Sequence, residues 1–66
     1  MSASDRAELS TLRAQIDDLV ERVVAVADRY DDSPDSAIAS DLYAAERALL
    51  TTRRSLDRAI AHLGDV

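Results

Sequence analysis

The 66-residue chain has no cysteine, lysine, tryptophan or phenylalanine, and only one glycine, one proline and two tyrosines. Without cysteine, disulfide frameworks, thiolate zinc sites and thiol nucleophiles are excluded. No apolar run approaches the ~20 residues that cross a bilayer, and the polar, acidic start does not read as a signal peptide. A soluble cytoplasmic protein that does not engage membranes is therefore expected. A chain of this length buries only about 60% of the surface its unfolded form exposes. That leaves no room for a barrel, a doubly wound sheet or an enclosed active site, so the expectation is a non-enzymatic protein without cofactor or metal. No apolar–polar alternation persists, which argues against strands.

What remains is strongly helical in pattern. Hydrophobic residues make up 47% of the chain, twelve of them alanine, and charged residues 32%; this is too apolar and too periodic for a disordered tail. Asp31-Asp32-Ser33-Pro34-Asp35-Ser36 is the one turn-like cluster. Within it Ser33 suits an N-cap, Pro34 the first helical position, and Asp35 the positive end of the helix dipole. Gly64 stands where a helix C-cap is expected, and Ser2 or Ser4 can cap the first helix. The reading is one domain over residues 1–66, with helices at about 5–31 and 34–63 and a turn at 31–34. So short a connection makes an antiparallel hairpin.

Heptad spacing sharpens this picture. Leu9, Leu12, Ile16, Leu19, Val23, Val26 and Tyr30 form a 3-4 repeat, and so do Ile38, Leu42, Ala45, Leu49, Thr52, Leu56, Ala59 and Leu63. Seams of this kind pack as left-handed coiled coils. Thr52 is the one flaw, and its hydroxyl can bond the carbonyl one turn back. Antiparallel pairing then sets opposite one another residues whose numbers sum to about 68. Arg29 falls near Asp41, and Glu8 near His62.

The expected fold is thus all-α, a coiled-coil-like antiparallel two-helix hairpin completed to a four-helix bundle by homodimerisation. Small scaffolds without disulfide or metal generally need such a staple. One flank of the pair carries Val20, Val24, Ala27, Ala39, Tyr43, Leu50 and Ile60; the other carries Glu8, Gln15, Arg22, Arg29, Asp41, Ala48, Ser55 and His62. The apolar flank is the expected protein interface, for a second copy, another protein or both. A small interaction module acting as a regulator or accessory subunit is the function this implies.

Charge bears on partners. The formal net charge of −5 opposes nucleic-acid binding. Arg47, Arg54 and Arg58 face outward, but no aromatic or glycine-rich element accompanies them. Residues 17–46 hold nine acids and two arginines, a net of −7; the remainder holds four acids and six arginines, a net of +2. Such a rod can pair head to tail. His62 has no acidic partner at metal-ligand spacing, and the aspartates around the turn lack the order of a calcium loop.

Arg13 and Arg53 lie opposite each other near the open end, with Asp17 and Asp57 one turn after each. This quartet can form two intrahelical salt bridges or clamp an anion through bidentate arginine contacts. The stretch Leu12-Arg13-Ala14-Gln15-Ile16-Asp17-Asp18-Leu19, with Val23-Val24 and Arg29, resembles the opening helix of the all-helical chorismate mutases. The resemblance covers about eighteen residues and implies a carboxylate-binding role for Arg13. The chain departs from that family where its second arginine would fall, at Tyr30, and it has no lysine for the family's later position. It is also shorter than the family's usual domain. No catalytic residue is carried over. The alternative function is a dimeric ligand-sensing or catalytic bundle with Arg13 and Arg53 as anion contacts.

Overall fold

A computed structural model describes residues 2–64. Two helices, α1 (Ser2–Tyr30) and α2 (Ser36–Gly64), pack side by side as an antiparallel hairpin, and no strand is present among the described residues. The rod measures 51 × 14 × 9 Å between Cα atoms. The expected boundaries at 5 and 63 move outward to Ser2 and Gly64, while Met1, Asp65 and Val66 lie outside the described residues. Capping by the Ser2 side chain lies outside them as well, and Ser4 sits within the helix.

The turn is held by Ser33 from both sides. Its hydroxyl donates to the Tyr30 carbonyl at 2.6 Å, closing the end of α1, and accepts the Asp35 N–H at 3.1 Å, capping the start of α2. That second bond is the N-cap contact anticipated from Ser33-Pro34. Regular α2 nevertheless begins at Ser36 and not at 34, because the opening turn is tighter. Ser36 N–H reaches the Ser33 carbonyl at 3.2 Å and Ile38 N–H the Asp35 carbonyl at 2.9 Å, both three residues back. The left-handed residue that reverses the chain is Asp32, with φ 60°. Aspartate tolerates this conformation better than most non-glycine residues. Gly64, placed where a C-cap is expected, is the last described residue of α2 and has no positive φ.

Helix rotation differs from the expected seam. Among the described residues only Ala27 (0% exposed) and Ala39 (2%) are fully buried, and both belong to the flank assigned to a partner. Leu12 (39%), Leu19 (42%) and Ile38 (42%), assigned to the hairpin seam, are the large apolar side chains left most exposed among the described residues. The helices have rolled toward the alanine-bearing flank. The two small side chains that the pair covers completely lie near the turn, and the polar bonds described below lie on the same side. Leu9, Ile16, Val23, Leu42, Leu49, Leu56 and Leu63 remain half-buried along the centre line. Thr52 behaves as expected, donating to the Ala48 carbonyl at 3.0 Å.

Candidate functional site: two unlike faces of one hairpin

The hairpin presents a polar-tied face and an apolar face, and both follow from how side chains leave a helix. Every Cα–Cβ bond tilts toward its own helix N-terminus. In this antiparallel pair, α1 side chains therefore lean toward the open end and α2 side chains toward the turn. Arg13, leaning outward, reaches Asp57 through Nε, with Nη2 at 3.5 Å from the same carboxylate. Arg53, leaning the other way, reaches Asp17 at 2.8 Å. Tyr43 follows the same sense, its hydroxyl donating to Asp28 Oδ1 at 2.6 Å.

Arg13 also bonds Asp17 within α1 at 2.8 Å, so the quartet is an alternating chain, Asp57–Arg13–Asp17–Arg53. This corrects the expectation of two intrahelical bridges: only the one in α1 forms among the described residues, and two bridges cross the hairpin. The Arg53 hydrogen bond, with the charge of Arg13 beside it, holds the Asp17 carboxyl below its usual range. The Asp57 hydrogen bond and charge raise Arg13. The bond to Asp28 and partial desolvation push the Tyr43 phenol up to about 12.

These contacts decide what the arginines can do. Arg13 spends Nε, Nη1 and Nη2 on carboxylates, and Arg53 spends Nη1 on Asp17. No free guanidinium fork faces outward from Arg13 to take a ligand. Among the described residues, no group of three histidine, aspartate or glutamate side chains is placed to hold a metal. No helix among them is long and apolar enough to cross a membrane.

The seven residues expected to form an interface all lie on this tied side. Ala27 and Ala39 are closed off by the hairpin itself; Val20, Val24, Tyr43, Leu50 and Ile60 are half-buried. The Tyr43–Asp28 bond was not anticipated, although the lean of the two helices brings those positions together. Large apolar side chains are most exposed on the opposite face. There Leu12, Leu19 and Ile38 are each about two-fifths exposed. One open groove exposes Leu9, Ala59 and Leu63 at the open end and is rimmed by Glu8 and His62, as their expected proximity implies. A second, nearer the turn, is lined by Leu19, Val23, Val26 and Leu42 and rimmed by Arg22. Arg29 and Asp41, expected near each other, are not among the ion pairs of the described residues.

Compared with models of protein families, with curated proteins and with solved structures, the chain matches none.

Proposed function

We propose that the protein is a non-enzymatic helical interaction module that works by laying its Leu12–Leu19–Ile38 face against another helical surface, in the first place that of a second copy. One observation carries this reading. The hairpin alone fully buries two alanines and leaves three large aliphatic side chains about two-fifths exposed on a single face. Isolated exposed leucines are ordinary, but a row of them along a rod bordered by charge marks an association surface. A four-helix bundle supplies the second layer that a two-helix hairpin lacks. A regulatory or accessory role fits a module of this size, acting through what it binds.

Sedimentation equilibrium tests the reading. The wild-type chain is expected at twice its sequence mass. Leu19→Asp with Ile38→Asp is expected at the single-chain mass, because two carboxylates are desolvated wherever that face closes. Neither substitution places charge in the alanine-lined contact of the hairpin itself. A wild-type chain sedimenting as one copy at millimolar concentration overturns self-association. A double variant that keeps the wild-type mass moves the interface to the Val24–Leu50 flank.

A further inference from the structure

We propose that the outward back of α2 is a second docking surface, an arginine ridge of Arg47, Arg54 and Arg58 whose occupant is an acidic helix of a partner protein. This surface is separate from the apolar face, and it is available whether or not that face closes on a second copy.

Helix geometry places the ridge. Residues four and seven apart stand above one another on one side of a helix, and Arg47, Arg54 and Arg58 follow spacings of seven and four. All three are exposed, while the half-buried line of α2 through Leu42, Leu49, Leu56 and Leu63 runs along the other side. At about 1.5 Å of rise per residue the ridge extends about 16 Å along the helix. None of its arginines lines either apolar groove or joins a bond across the hairpin.

Charge sets these three apart from the arginines that the hairpin uses. Arg13 and Arg53 are held by Asp17 and Asp57, and Arg22 by Asp18. Arg47, Arg54 and Arg58 belong to none of the ion pairs of the described residues. Asp57, the acid nearest Arg54 along this side, is taken by Arg13. From Arg47 to Arg58 the chain holds four arginines and one aspartate, a net of +3 in a protein whose total is −5. Arg54 and Arg58, four apart, repel each other along the helix. A carboxylate supplied from outside relieves that repulsion.

The side chains between the arginines are small. Ala44, Ala48, Thr51 and Ser55 are exposed beside them, and small contact residues let two helix axes approach to about 8–10 Å. Thr51 turns its hydroxyl to the Arg47 carbonyl at 3.1 Å, and Ser55 accepts from Arg58 Nη2 at 3.0 Å. The guanidinium forks are therefore the outward polar groups, and they match carboxylates in bidentate fashion. Acids at spacings of seven and four set a matching row on one side of a partner helix. Nucleic acid fits less well, because a single row of three charges on an acidic chain is not the broad basic patch that phosphate neutralisation requires. Charges farther off than about 8 Å are largely screened at physiological salt, so a docked helix senses the local +3 more than the total of −5.

The arginine Nε–H signals of the isotope-labelled full chain, read by heteronuclear NMR, test the ridge directly. The probe is an alanine- and glutamine-based helical peptide with three glutamates at spacings of seven and four. It is expected to move the signals of Arg47, Arg54 and Arg58, to leave those of Arg13 and Arg53 in place, and to be displaced by salt. An isomer with the same glutamates spread around the helix is expected to bind more weakly. Arg47→Gln, Arg54→Gln and Arg58→Gln together are expected to weaken binding about tenfold, with unchanged sedimentation mass and no fall in unfolding midpoint. Equal binding of the isomer overturns the proposal, as does movement centred on Arg22 or Arg29, or no movement at millimolar peptide. An oligothymidine that binds more tightly than the peptide overturns it in favour of phosphate. A triple variant of lower mass overturns it in favour of a second copy. The Leu19→Asp, Ile38→Asp variant is expected to bind the peptide as the wild type does, which keeps this result apart from the fate of self-association.

Discussion

Ser33 and Asp32 carry the turn between them, and each makes a separate prediction. Ser33 satisfies the last carbonyl of α1 and an orphan N–H of α2 with one hydroxyl. Ser33→Ala removes both bonds and is expected to cost about 1–2 kcal/mol, the upper range for losing an N-cap, read as a lowered urea midpoint. Asp32 holds φ 60°. Asp32→Gly is expected to leave stability unchanged or slightly higher, since glycine meets no Cβ conflict there. Asp32→Val is expected to cost about 1–2 kcal/mol, the penalty for forcing a side chain into the left-handed region. If both variants unfold at the wild-type midpoint, the turn does not use the left-handed residue.

Between the two helices, the cross-hairpin bonds set a pH window at each end. Asp17 is held below the usual carboxylate range by Arg53 and Arg13, so the unfolded chain binds its proton first on acidification. Its contribution is therefore complete above the ordinary carboxylate range and is lost as pH falls through the lowered folded value. Tyr43 titrates the other way. Its ordinary value of 10.0 is raised to about 12 by donation to Asp28, so its contribution is full below 10.0 and is lost between 10.0 and about 12. Unfolding midpoints across pH are expected to fall at both ends. Tyr43→Phe is expected to remove the alkaline decline while leaving the acid one. Because Arg13 and Asp17 each keep 39% of their side-chain surface in water, added salt is expected to shrink the effect of Arg13→Gln. A salt-independent effect would mean that Arg13 acts through packing of its stem.

At the scale of the whole molecule, stability and association are expected to be one quantity. A hairpin with two buried alanines has little core of its own, and binding only to the folded form raises apparent stability by mass action. The thermal midpoint of the wild-type chain is therefore expected to rise with protein concentration. The Leu19→Asp, Ile38→Asp variant is expected to show a lower midpoint that no longer depends on concentration. A concentration-independent wild-type midpoint would mean the hairpin is stable alone. The spacing of Leu9, Ile16, Val23 and Leu42, Leu49, Leu56, Leu63 marks two helices, and the short connection between them makes the pair antiparallel. Ser33-Pro34 located the turn. The rotation of the helices was less legible: the spacing put Leu12 and Leu19 in the seam between the helices and Val20, Val24 and Leu50 on the flank for a partner, although all lie within one apolar stripe.

Local chemistry by itself determined the helices, the turn, the capping serine and the division of charge along the rod, because each depends on residues within a few positions of one another. Only the tertiary structure decided how far each helix rolls about its axis. An apolar stripe is ≳ 100° wide, so periodicity leaves that angle open. It is set on the side where the pair covers two alanines completely, and by oppositely leaning side chains that join Arg13 to Asp57, Arg53 to Asp17 and Tyr43 to Asp28. That roll turns Leu12, Leu19 and Ile38 outward.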